Sequence, residues 1–167
     1  MSGLDIEWRS YEELERVLPR AIELSLQTGE RWSRAELLGM RAIGAAWRGA
    51  LEDAERWVEE ALAQVREGDV TGAAETELAL GIVRASAGTH DDADRHFRRG
   101  IEIVRGTEYT ATLPRFTAGY AEFLLGRGRT AEARALLDEA DAINARSDYA
   151  VAAQQIRRLR EATPTRV

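Results

Sequence analysis

The sequence predicts an all-α fold, a helical-repeat solenoid of antiparallel helix pairs with about seven to eight helices. Three observations carry this. The 167 residues include 28 Ala, and Ala, Leu, Arg and Glu, the strongest helix formers, dominate, while only three Pro interrupt. A column small–x3–large–x2–small recurs as Ala54/Val58/Ala61, Ala93/Phe97/Gly100 and Ala133/Leu137/Ala140, with first members 39 and 40 residues apart. Five residues before each stands a glycine, Gly49, Gly88 or Gly128, suited to the left-handed conformation that ends a helix. Fixed-period self-similarity signals an architecture of stacked units. Offsets 0, 4 and 7 fall within about 60° on a helix, so each copy makes one apolar stripe.

The elements follow in order. Residues 10–28 carry a fourth, imperfect copy, Leu14, Leu18 and Ala21, one period before Ala54. Pro19 falls inside this stretch, and an interior proline costs about 3 kcal/mol if unrelieved. Either Pro19 splits the segment into a cramped pair, or the chain begins in mid-repeat. Three full pairs are expected: 34–48 with 51–66, 71–87 with 90–105, and 112–126 with 130–145. A helix at 148–161, with a polar QQIRRLRE face, covers the end. A single repeat domain thus runs over 1–163, leaving 164–167 as a tail or linker. Ser10-x-x-Glu13 and Ser33-x-x-Glu36 have the spacing of capping boxes. Thr89 and Thr130 can cap second helices, Gly29 and Gly68 can close the helices before them, and Pro114 suits a first helical turn.

Charge narrows the function. The net charge is −6, and all 23 basic residues are Arg. Residues 1–84 carry 17 acids against 10 Arg, a balance of −7; residues 85–167 carry 12 against 13, a balance of +1. Such a chain is unsuited to nucleic acid, which needs clustered cations; RHFRR and RRLR read as solvated helix faces. No apolar run approaches the roughly 18 residues of a membrane span, and Met1 to Ser10 is too polar for a signal peptide. The absence of Cys excludes disulfides and thiolate metal sites and fits a reducing compartment. A cytoplasmic protein is expected, with no membrane partner. The Arg- and Ala-rich composition suggests a GC-rich bacterial genome.

Catalytic chemistry has little to stand on. His90 and His96, the only histidines, lie about 240° apart on one helix and cannot share a metal from it. Asp91, Asp92 and Asp94 beside His90 can be read as a metal cluster or as first-turn acids favoured by the helix dipole; the second reading is preferred. GRGRT lacks the spacing and the Lys of a phosphate-binding loop. The expectation is no enzyme, no catalytic residue, no metal and no cofactor.

The repeats resemble those of tetratricopeptide repeat proteins. Leu80, Gly81, Gly88, Ala93, Phe97 and Gly100 match that pattern in the middle copy. Ala42, Gly49, Ala54, Val58 and Ala61 match before it, and Ala121, Gly128, Ala133, Leu137 and Ala140 after it. The usual period is about 34 residues; the longer period here resembles the repeats of LuxR-type and maltose-regulator-like bacterial ATPase regulators. HEAT repeats also run about 40 residues, but the glycine turn followed by Ala favours the tetratricopeptide pattern. The resemblance implies a protein–protein interaction module within a transcription or signalling regulator. First helices then line a concave face: Glu36, Gly39, Ile43 and Ala46; Glu75, Leu78, Ile82 and Ala85; Arg115, Ala118, Glu122 and Leu125; with Met40 and Trp47 flanking. A protein or peptide is the expected partner, unless Ile43, Leu78 and Ile82 serve only to pack neighbouring helices. A small-molecule inducer-sensing domain and a self-association module are the alternatives. An uncapped repeat end exposes apolar surface, so a homodimer through Tyr11, Leu14 and Val17 is a further expectation.

Overall fold

Eight α-helices and one short 3-10 turn make up the regular structure of the described residues. The computed structural model describes residues 3–30, 33–147 and 150–163, with side chains for 15–30, 33–145 and 153–163. The helices are α1 (Gly3–Thr28), α2 (Arg34–Trp47), α3 (Leu51–Gln64), α4 (Val70–Ser86), α5 (His90–Arg105), α6 (Leu113–Gly126), α7 (Thr130–Ser147) and α8 (Ala150–Glu161), with the 3-10 turn at Thr110–Thr112. The chain forms two compact units, Met1–Ile103 and Val104–Val167.

The repeated glycines build one turn three times. Gly49, Gly88 and Gly128 have φ of 76°, 80° and 73°, a left-handed conformation that other residues adopt at a cost. The residue after each donates its N–H to the carbonyl five positions back: Ala50 to Ala45 at 3.0 Å, Thr89 to Arg84 at 2.9 Å and Arg129 to Leu124 at 2.9 Å. Each glycine donates to the residue three back, completing a Schellman motif. These turns satisfy the orphan carbonyls of the first helix and aim the chain into the second.

The column faces inward in the three full pairs. Ala54, Val58, Ala61, Ala93, Ala133 and Ala140 are wholly buried, and Phe97 and Leu137 nearly so. Gly81 shows why the small positions matter: a Cβ there would lie 2.9 Å from Phe97 Cδ1. Its missing side chain lets the α5 ring seat against the α4 backbone.

In the unit Met1–Ile103, α1 is one continuous helix with Pro19 inside it. Of the two alternatives raised by Pro19, the split does not occur. Pro19 is exposed, so water can satisfy backbone groups freed by the missing N–H. The helix rests on α2 as α3 rests on α4. Glu15 and Glu55, one period apart, each pair with an arginine near the end of the following helix, Arg48 just after α2 and Arg84 in the last turn of α4. The inward residues of α1 are Leu18, Ile22 and Ser25, whereas Ala21 is only half-buried. Ile22, Leu38 and Ala61 form one apolar cluster with Leu37 and Trp57 packed on it. Arg34 ties the ends of three helices, with Nη2 3.1 Å from the Ser25 carbonyl and Nη1 3.4 Å from Gln64 Oε1.

In the unit Val104–Val167, Pro114 lies in the first turn of α6, as its fixed φ favours. The helices α6 and α7 pair, and α8 packs on both, burying Ile156 and Leu159. Its arginines pair with acids of those helices: Arg158 with Glu122 of α6 at 2.9 Å, and Arg160 with Asp141 of α7 at 2.7 Å and with Asp138.

Two helix starts, those expected from Ser10 and Ser33, differ from the capping expectations. Ser10 lies inside α1 rather than before a helix. Ser33 precedes α2 but makes no capping bond; its hydroxyl donates to Glu30 instead. Thr89 Oγ1 donates to the Arg84 carbonyl at 3.1 Å. Asp69, which the sequence reading did not single out, caps α4 with its side chain: its Oδ1 accepts from Gly72 N at 2.8 Å.

Candidate docking surface

Residues 36, 40, 43 and 47 fall within about 60° on a helix, so one face of α2 carries Glu36, Met40, Ile43 and Trp47. The corresponding face of α4 carries Glu75, Leu78 and Ile82, and α2 packs directly on α4. The distance between these helices decides which side chains remain accessible. Gly39 sits at the crossing: a Cβ added there would meet Glu75 Cγ at 3.3 Å and the Glu75 carbonyl oxygen at 3.4 Å. With no side chain at Gly39 the helices approach closely and cover what lies between them.

Three expected face residues are therefore core. Ile43 is 1% exposed, and Leu78 and Glu75 are each 3% exposed. Glu75 is not a rim acid: the close approach of α2 buries it. Four residues of the expected set keep a half-exposed surface: Glu36, Met40 and Trp47 on α2 and Ile82 on α4. Met40, Trp47 and Ile82 are the apolar members of this strip of α2 and α4 and Glu36 its acid, while Ile43 and Leu78 of the same faces are buried.

Arg115 and Glu122 belong to the other compact unit. Arg115 is half-buried, with its guanidinium carbon 5.3 Å from the centroid of the Phe116 ring. Glu122 accepts from Arg158 Nη2 at 2.9 Å and from Gln155 Nε2 at 3.3 Å. It is engaged by α8 rather than offered to a ligand.

Of the expected self-association residues, Tyr11 and Leu14 have side chains outside the described residues. Val17 is 58% exposed, and Leu24, two turns along α1, is 42% exposed.

His96 joins two helices. His96 Nδ1 on α5 and Glu77 Oε2 on α4 are 2.7 Å apart. Asp92 and Asp94 pair with Arg95 and Arg98 of their own helix. Among the described residues no group of three or more His, Cys, Asp or Glu could hold a metal ion. No helix among them is long and apolar enough to cross a membrane.

One polar assembly escaped the sequence reading. Trp57 is half-buried, with Arg41 3.7 Å from its ring centroid and Arg56 4.8 Å from it, in the range of cation–π contact. The signal was present. Arg41 stands 13 residues before the Ala54 anchor and Trp57 three after it, so the helix pairing brings these two positions together.

Comparison with protein-family models, with curated proteins and with solved structures returned no match.

Proposed function

We propose that this chain is a non-enzymatic docking module of tetratricopeptide type that binds another polypeptide, as part of a bacterial transcription or signalling regulator. The observation that carries the reading is the strip Met40, Trp47 and Ile82 on α2 and α4, whose side chains stay half-exposed where Ile43 and Leu78 of the same faces are buried. Rigid helices present it, so binding needs little reordering. An apolar helix or extended segment with a basic residue to meet Glu36 suits the strip. The glycine-turn pairs, the seating of Phe97 on Gly81 and the column at 0, 4 and 7 support the tetratricopeptide assignment.

The experiment is affinity capture from the source organism with mass spectrometry, comparing the unaltered chain with Met40→Arg/Ile82→Arg and with Leu62→Arg. Leu62 is exposed on α3 at 55% and serves as a control. The expected result is a specific polypeptide lost from the double variant and kept by the control, with all three proteins equally helical. Equal capture by all three, or a thermal shift with small apolar metabolites in place of a polypeptide, would overturn the proposal.

A further inference from the structure

The repeat provides an internal standard for what covers each face of a second helix. Val17, Ala21 and Leu24 of α1 stand 40 residues before Trp57, Ala61 and Gln64 of α3. On α3 those three positions meet α2, the first helix of the same pair. Arg41 stacks on Trp57, Leu38 shares the cluster with Ala61, and Arg34 bonds Gln64. On α1 the same face is open: Val17 is 58% exposed, Leu24 42% exposed and Ala21 half-exposed. Because α1 runs unbroken from Gly3 to Thr28, residues 3–13 continue along its axis and do not fold back over Val17.

From this we propose that the open face of α1 is covered by α1 of a second copy of the chain, antiparallel and related by a two-fold axis near Ala21. The helix covering α5 presents a small residue, Gly81, where it meets Phe97, and this permits close approach; Ala42 stands the same 16 residues before Val58. α1 supplies the same device itself. Ala21 is the small centre, and Val17 and Leu24 are the large flanks, four residues before it and three after. A two-fold at Ala21 sets Val17 of one copy beside Leu24 of the other, and this isologous pairing closes at two subunits. The flanking charges are compatible. Arg20 and Glu23, now paired at 2.7 Å within one helix, run antiparallel past their counterparts, so each arginine passes the opposite copy's glutamate. The contact is one helix face on each side, below the area of permanent dimers, so a concentration-dependent equilibrium is expected. This surface is distinct from the α2–α4 strip, and its test is independent of that reading.

The chain contains no Cys, which makes a direct geometric test possible. Ala21→Cys should form a disulfide-linked dimer under mild oxidation, because a two-fold at residue 21 brings the two Cα atoms near the roughly 4.4–6.8 Å a disulfide needs. Leu62→Cys, at a more exposed position on α3, should not at the same concentration. Light scattering should show the mass of the unaltered chain rising toward twofold as concentration rises. Val17→Arg/Leu24→Arg should abolish that rise with unchanged helix content, since both side chains are exposed. A strict monomer at the highest concentration, a dimer that survives the double substitution, or equal cross-linking at positions 21 and 62 would overturn the assignment.

Discussion

Replacing Gly81 by alanine sets two opposing effects against each other at one atom. In an isolated helix this change stabilises, because glycine is about 1 kcal/mol less favourable than alanine in a helix interior. Here the new methyl would lie 2.9 Å from Phe97 Cδ1 and 3.0 Å from both Cε1 and Cγ, closer than carbon atoms pack. The contact is with three atoms of one ring, so rotating the flexible end of a side chain does not relieve it; α5 must shift or the ring must leave its rotamer. Overpacking of this kind costs about 1–3 kcal/mol. The clash therefore outweighs propensity, and a net loss of about 1 kcal/mol is expected by urea denaturation. Gly126→Ala is the control: nothing lies within 4 Å of its added Cβ, so a gain of about 0.5 kcal/mol is expected. Phe97→Leu in the Gly81→Ala background should restore part of the loss, giving a non-additive coupling of at least about 0.5 kcal/mol. If Gly81→Ala stabilises as Gly126→Ala does, or if the double variant is strictly additive, Phe97 does not sit on α4 as described and the register of the pair is wrong.

Two further substitutions probe the stack. Asp69→Ala removes the one side-chain cap of α4 and should cost about 1 kcal/mol, while Asp69→Asn keeps an acceptor for the Gly72 N–H and should cost much less; equal losses in denaturant melts would contradict the cap. Leu137→Ala empties a fully buried position and should cost about 2–5 kcal/mol, so a melt that barely moves would show that α7 does not present this face to the core.

What could be read from residues alone was whatever the period fixes. Ala54, Val58, Phe97 and Leu137 were identifiable because equivalent positions in a repeat share one environment, and Gly88 because few residues but glycine end a helix in that conformation. Depth was not legible. Glu75 and Leu78 lie on the face that periodicity assigns to a groove, but their burial depends on how closely α2 approaches α4, and that follows from the side chain missing at Gly39. Competition between local partners was also hidden. Ser33 has the spacing for a capping box, yet Glu30 takes its hydroxyl, while Asp69 caps α4 with no acid three residues later to advertise it. Pro19 alone left two alternatives open, a split or one helix, and only the structure shows that α1 runs through it with the residue facing solvent.

The pattern of helix packing in the unit Met1–Ile103 has a kinetic consequence. The packings α1 on α2, α2 on α3, α2 on α4 and α3 on α4 all join helices that are neighbours in sequence or one helix apart. No strand from a distant part of the chain must be captured first, so little loop-closure entropy is lost before contacts begin to compensate for it. Such a contact order places refolding of this unit in the microsecond-to-millisecond range typical of helical proteins. It also lets structure nucleate at any one Schellman turn and spread in either direction. Backbone amides of α2 and α3, held from several sides, should then exchange with solvent more slowly than those of α1, whose outer face is open, so opening begins at that edge and moves inward helix by helix.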